Sequence, residues 1–270
     1  MKLTLDVENT VTHRDGKMHL DPFEPDNSLT MVGMLTDQGV ERIVTFDHSE
    51  VEADEFGHTV VQEWLDKATI LIMHNAAHDL LWLWESGFKY NGPVFDTMLA
   101  EYVLQRGQKE PLSLEACANR YELDTRKQDT LKEYFNKGYS TKDIPHDLLS
   151  SYLSSDLEAT QQLSDRLYQR LNTVEDAGLM DTVILTNRVA VSLSRMYQTG
   201  FNVDMDKLQE VRTEFENERA NLEKELQKQI TDLMGDTPIN LNSPEQLSQV
   251  IYSRKPLDKS MWQNSFDPYM

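Results

Sequence analysis

The sequence predicts an α/β domain over residues 1–175, an all-α extension over 176–255 and an irregular tail over 256–270. Three observations carry this. The chain opens on an alternating run, Met1-Lys-Leu-Thr-Leu-Asp-Val-Glu-Asn-Thr10, whose period of two is that of a strand. Short apolar runs then alternate with helical stretches. From Thr182 onward apolar residues recur only at helical spacing.

Taken in order, Leu3, Leu5 and Val7 alternate with Lys2, Thr4, Asp6 and Glu8, so Asp6 and Glu8 share a face near the carboxyl end of the first strand. His13 to Asn27, with Gly16, Pro22 and Pro25, reads as a loop. Leu29–Leu35 and Val40–Phe46 flank the turn Asp37-Gln-Gly39 and form an antiparallel hairpin. A helix from His58 to Lys67 leads into Ala68-Thr-Ile-Leu-Ile-Met-His-Asn75, an apolar run that suits a strand buried on both faces. Ala76 to Trp84 is an apolar helix broken at Gly87, and Pro93-Val-Phe95 is a short strand. Asp96-Thr97 caps a helix to about Gln105, and Leu112 to Tyr121 is another. Asp129 to Pro145 reads as polar and irregular, and a long helix follows from His146 to Leu171.

In the extension, Val183, Ile184, Val189, Leu193, Met196 and Tyr197 mark a helix stopped by Gly200. Asp204 caps a second, with Leu208, Val211, Phe215, Leu222, Leu226, Ile230 and Leu233 at intervals of three, four or seven. At 1.5 Å per residue that helix is roughly 45 Å long. Ser243 caps a short third helix that has Pro244 at its first position.

Composition narrows the function. The formal charge of −20, from 26 basic and 46 acidic side chains, argues against a strong nonspecific grip on phosphate backbones. It does not argue against a nuclease, since a carboxylate site is acidic by construction and bound metal inverts its field. The single cysteine, Cys117, excludes an intramolecular disulfide and fits a reducing compartment; its helical surroundings read as core. The first strand carries acids where a signal peptide needs an apolar stretch, and no run approaches membrane-spanning length, so a cytoplasmic location and no membrane partner are expected.

Two carboxylates two residues apart are costly to bury unless a cation or donor lies between them. In open α/β sheets, ligands gather beyond the carboxyl ends of the strands, where Asp6 and Glu8 fall. Asp-x-Glu alone is weak, for Asp156-Leu-Glu158 repeats it. Two more acids have company at helical spacing. Asp79 lies four residues after Asn75, and Asp156 four after Tyr152. Asn172…Asp176 and Tyr139…Asp143 copy these spacings, but Asp143 lies two residues before Pro145 in an irregular segment. His74 and His78 could suggest zinc on one helix, yet Asn75 ends a strand between them and no cysteine is near.

Asp6-Val-Glu8, Asn75-Ala-Ala-His-Asp79 and Tyr152-Leu-Ser-Ser-Asp156-Leu-Glu-Ala-Thr160 together resemble the three motifs of the DEDD superfamily of 3′–5′ proofreading exonucleases. Tyrosine four residues before the last aspartate marks the tyrosine subtype, and His78 stands where members usually carry an aromatic. Asn187 to Asp204 looks like the segment joining exonuclease to thumb in family A DNA polymerases, and Ile239-Asn-Leu-Asn-Ser-Pro-Glu-Gln-Leu247 is similar to their thumb base.

The resemblance covers about residues 1 to 252. It implies a ribonuclease H-like fold, a mixed five-stranded sheet flanked by helices, and a thumb-like helical extension. It implies two Mg²⁺ or Mn²⁺ ions about 3.5–4 Å apart. Asp6 would bridge them, Glu8 and Asp156 would complete one site, Asp79 would support the other, and Tyr152 would orient the attacking water. Asn75, Leu80 and Phe95 are expected to touch the terminal nucleotide. The expected partners are a single-stranded or frayed DNA 3′ end and a polymerase palm-and-fingers fragment or other replication proteins. Palm and fingers have no room in 270 residues, so the reading is a fragment or the exonuclease half of a split polymerase. A ribonuclease D-like RNA trimmer would share the acids and tyrosine but has no use for the thumb-like stretch. A non-catalytic docking scaffold fits less well with a complete acid set.

Overall fold

A computed structural model describes residues 1–123, 130–235, 240 and 242–252. It divides into two compact units, 1–200 and 201–270. In the first unit β1 (Lys2–Asn9) is central, and β2 (Thr12–Arg14) and β3 (Lys17–His19) form a separate small hairpin. β4 (Leu29–Thr36) and β5 (Glu41–Thr45) follow, then α1 (Gly57–Lys67), β6 (Ile70–Met73), α2 (Ala76–Glu85) and β7 (Val94–Asp96). The main sheet runs β5-β4-β1-β6-β7, antiparallel from β5 to β1 and parallel from β1 to β7. It is the mixed five-stranded sheet expected.

The helical part of the unit comprises α3 (Thr97–Leu104), α4 (Leu114–Arg120), α5 (Thr130–Asn136), α6 (His146–Leu171) and α7 (Leu179–Thr199). Alternation along the strands feeds two cores. Leu3, Leu5, Leu71 and Met73 pack with Val61 and Leu65 of α1 and Leu80 and Leu83 of α2. Ile72 and Phe95 point the other way, toward Leu163, Leu167 and Leu171 of α6. Near its start, α6 buries Leu149 and Leu153 against Met31 of β4.

The position of α6 depends on Gly33. Gly33 pairs with Asp6 across the β1–β4 ladder, so the two residues face the same side of the sheet. A Cβ on Gly33 would lie 2.8 Å from Leu153 Cγ and 2.8 Å from Leu157 Cδ1. The face of β1 that carries Asp6 and Glu8 is therefore the face on which α6 lies.

Several elements differ from expectation, each for a local reason. The 13–27 loop contains the β2–β3 hairpin, whose turn residues Asp15 and Gly16 both have positive φ (53° and 70°) as a tight hairpin turn requires. The segment before Pro145 is not irregular: it holds α5 and a 3₁₀ turn over Thr141–Asp143, anchored by buried Leu131 and Ile144. Its first residue, Asp129, lies outside the described residues. The 68–75 strand contracts to Ile70–Met73.

α7 forms where the apolar period places it, but most of the residues that mark the period are exposed. Val183, Asn187 and Ser194 are buried, while Ile184, Val189, Leu193, Met196 and Tyr197 are exposed. It packs on α2, α3 and β7. There the Arg195 guanidinium lies 3.4 Å from the Trp84 ring centroid and donates to Asn91 Oδ1, and Gln198 donates to Glu85. These contacts lie within the compact unit 1–200.

In the second unit α8 (Met205–Met234) is capped by Asp204, which accepts from Lys207 N at 2.9 Å. Leu208, Phe215, Leu222 and Leu226 are exposed, whereas Ile230 is buried. Ser243 caps α9 (Pro244–Tyr252), its Oγ accepting from Gln246 N. The side chain of Leu233, residues Ile239 and Leu241, and the 256–270 tail lie outside the described residues. Among the described residues no helix is long and apolar enough to cross a membrane.

The contact at Gly33 is directly testable. Gly33→Ala should destabilise the protein by about 1–3 kcal/mol, the usual cost of overpacking a closed core. A lower urea midpoint with an unchanged slope is the expected reading; an unchanged midpoint would show that α6 yields freely.

Candidate active site

The site assembles where three chain segments meet: the end of β1, the first turn of α2 and one flank of α6. Asp6 and Glu8 are half-buried on the α6 side of β1, and the ladder shifts register between Glu8 and Asn9. Such a bulge ends regular pairing and re-aims the residues beside it. Tyr152 and Asp156, one turn apart on α6, are half-buried too, and the Tyr152 hydroxyl donates to the Asp156 carboxylate. Asp79 is 2% exposed, and among the described residues its Oδ2 has no hydrogen-bond partner.

The proton affinities show that these groups sense one another. Burial pushes Asp6 up to about 7; the charge of Asp156 adds to the rise, and the Val7 N–H, 3.1 Å from Asp6 Oδ1, opposes it. Asp79 is raised well above the carboxylate range, by burial first and then by the charges of Asp6, Asp96 and Glu8. Tyr152 is raised by burial, then by Asp156, Glu8 and Asp6, and so stays protonated at any working pH. The five residues named from the sequence thus form one electrostatically connected cluster. Among the described residues, no three His, Cys, Asp or Glu side chains are closed around a single point at ligating distance. The donor set is nonetheless entirely carboxylate and phenol oxygen, suited to hard divalent cations, and the unpartnered Asp79 Oδ2 is a buried donor of that kind.

What holds Asp79 is largely invisible in the sequence. Asn75 takes a left-handed conformation (φ 70°, ψ 50°) and leaves its own side chain out of the α2 cap. The cap comes from Asp96, at the end of the neighbouring strand, whose Oδ2 accepts from Ala76 N at 2.9 Å. Reading Asp96 only as the cap of α3 misses this. The parallel pairing of Met73 with Asp96 brings it within reach of α2, and no local pattern reports that pairing. A second support is His78, whose Nε2 lies 2.8 Å from Asn9 Oδ1. The Asn9 amide nitrogen donates to the carbonyls of Thr10 and Leu20, so its oxygen accepts and His78 carries its proton on Nε2. Burial lowers the pKa of His78, which keeps it neutral.

The expected nucleotide contacts divide. Asn75 is exposed. Leu80 and Phe95 are 1% and 3% exposed and belong to the cores on opposite faces of the sheet. Phe95 stacks on Tyr168 with ring centroids 4.2 Å apart. A zinc pair is not formed, because His74 bonds Thr97 and Leu112 while His78 turns to Asn9. The copied spacings have structural roles. Asp176 pairs with Arg106 at 2.7 Å, Asp143 accepts from Ser49, and Tyr139 packs edge-on against Tyr134. Cys117 is buried, and burial with the charge of Glu101 pushes its thiol up to about 11, so it is not a nucleophile.

Comparison with known proteins bears on the family and the fold. The 3′–5′ exonuclease family associated with DNA polymerase A matches residues 18–172. DNA polymerase I of Bacillus subtilis is 28% identical over 199 residues, 72% of this chain and 21% of that protein. The chain thus spans about a fifth of the length of such relatives. Among solved structures, the POL domain of Pol1 from M. smegmatis aligns with 93% of this chain and 37% of its own, at 21% identity and a TM-score of 0.63. Brucella melitensis NrnC with bound Mg²⁺ aligns with 75% of this chain and 89% of its own, at 19% identity and a TM-score of 0.50. At these identities the structural matches speak for the ribonuclease H-like fold, and the family match extends over more than half the chain: it belongs to the 3′–5′ exonuclease family of the DNA polymerase A type.

Proposed function

We propose that this chain is a metal-dependent exonuclease that removes nucleoside 5′-monophosphates from the 3′ end of single-stranded or frayed DNA, as the proofreading part of a family A polymerase. The observation that carries the reading is the convergence of Asp6, Glu8, Asp79, Asp156 and Tyr152 in one mutually sensing cluster. DNA is favoured as substrate because the curated relatives are DNA polymerases. The rest of such a polymerase is the proposed partner.

Asp6, Glu8, Asp79 and Asp156 would hold a pair of Mg²⁺ or Mn²⁺ ions. When bound, such ions lower the pKa of water and offset charge on the leaving oxygen. The chain's own residues prepare the rest. Asp6, coupled to acids of both helices, is the member suited to a shared position. Tyr152 cannot serve as a base because it keeps its proton; its hydroxyl, already tied to Asp156, positions a water instead. His78, neutral and bonded to Asn9, contributes shape rather than proton transfer.

With 3′-labelled single-stranded DNA and RNA offered side by side, DNA should be degraded faster and chelator should stop the reaction. Asp6→Ala or Glu8→Ala should abolish hydrolysis in a folded protein; near wild-type rates with Mg²⁺ would remove these acids from the site. Tyr152→Phe should slow single-turnover hydrolysis by about tenfold to a thousandfold, while Tyr139→Phe changes nothing. Equal effects of the two would end the role given to Tyr152.

Stability should record the burial of Asp6 beside other acids. The Asp6 pKa rises from the usual 3.8 to about 7 on folding. Across that window the folded state holds a proton that the unfolded state has released, so stability falls as pH rises. In chelator, Asp6→Asn should therefore raise the melting temperature relative to wild type more at pH 8 than at pH 5. An equal difference at the two pH values would contradict the burial of Asp6.

A further inference from the structure

Asp96 is the last residue of an edge strand, yet it is 2% exposed and its side chain accepts four backbone N–H groups from two helices. Oδ1 takes Asn75 N at 3.2 Å, Met98 N at 2.9 Å and Leu99 N at 3.2 Å, and Oδ2 takes Ala76 N at 2.9 Å. One carboxylate thus holds the starts of both α2 and α3. The first-turn N–H groups of a helix have no intrahelical partner, and a helix normally supplies its own cap from the preceding side chain. Asn75 does not do so for α2, and its left-handed backbone is the turn by which the chain leaves β6.

We infer that Asp96 is a positioning residue for hydrolysis: it fixes the first turn of α2 to β7 and thereby sets where the Asp79 carboxylate stands. Asp79 is three residues beyond Ala76, within that first turn, and its Oδ2 has no hydrogen bond of its own. Among the described residues nothing else polar orients that oxygen, so its place follows from the backbone beneath it. The backbone is tied to Asp96. The inference rests on the reading of Asp79 as a working acid.

The test separates the two helices. In Asp96→Ser the hydroxyl can still cap α3, because serine is a good cap for its own helix, but it is too short to bridge to α2. The folded variant should lose about 10- to 100-fold in kcat on single-stranded DNA, the usual cost of removing a residue that orients a metal-binding group. The Mg²⁺ concentration giving half-maximal rate should rise with it, while KM for DNA stays within about twofold. Asp96→Asn, which keeps the shape and one acceptor oxygen, should recover part of the loss.

Wild-type kcat and Mg²⁺ dependence in a folded Asp96→Ser protein would overturn the inference. Should the serine variant not fold, amide hydrogen exchange in the wild type decides. An Ala76 N–H exchanging as slowly as that of Met98 upholds the clamp, and one exchanging at the rate of an open chain overturns it. Asp79→Asn is measured alongside. If it is inactive while Asp96→Ser is normal, only the clamp falls; if it stays active with Mg²⁺, the role of Asp79 falls and the inference with it.

Discussion

Burying four carboxylates beside one another is the constraint the first unit has to overcome. Burial raises the proton affinity of Asp6, Asp79 and Tyr152, and the charges of Asp156, Asp6 and Glu8 add to it, so none would choose this neighbourhood by itself. They are kept together by apolar packing that continues on both sides of β1. Leu3 and Leu5 anchor the strand to α1 and α2, and Leu149, Leu153 and Leu157 bury the underside of α6. The closeness of α6 depends in turn on the missing side chain at Gly33. Hydrophobic burial supplies the driving force, and the acids occupy the gap where three well-packed elements end.

Much of this was legible in the sequence, for reasons that differ by element. β1 and α6 were readable because their patterns are long and periodic, and the caps at Asp96, Asp204 and Ser243 because a cap is a local signal. The four acids and Tyr152 were readable as motifs. What escaped was what depends on contacts between distant segments. The burial of Leu80 and Phe95 follows from sheet order, and the reach of Asp96 across to α2 follows from strand pairing. The hairpin at Asp15-Gly16 was masked by the polar, proline-containing sequence around it.

α7 shows a different limit. Apolar periodicity gave the helix but not the buried face, because the side packed on α2, α3 and β7 mixes Val183 and Val191 with Asn187, Ser194 and Arg195. A helix can dock through a guanidinium over an indole and a few hydrogen bonds as well as through leucines. Val189, Leu193 and Met196 remain exposed along one side of it.

The acids come from residues 6, 8, 79 and 156, so the site spans most of the first unit along the chain while occupying one small place in it. Closing loops of that length has to precede the contacts that reward it, which makes the site a late product of folding. During synthesis β1 emerges first but cannot be completed at its centre until β4, β6 and finally α6 arrive. No short stretch of this chain holds enough acids to cut a phosphodiester. The hydrolysis proposed for this chain would therefore wait on topology, since its acids meet only when the whole unit has closed.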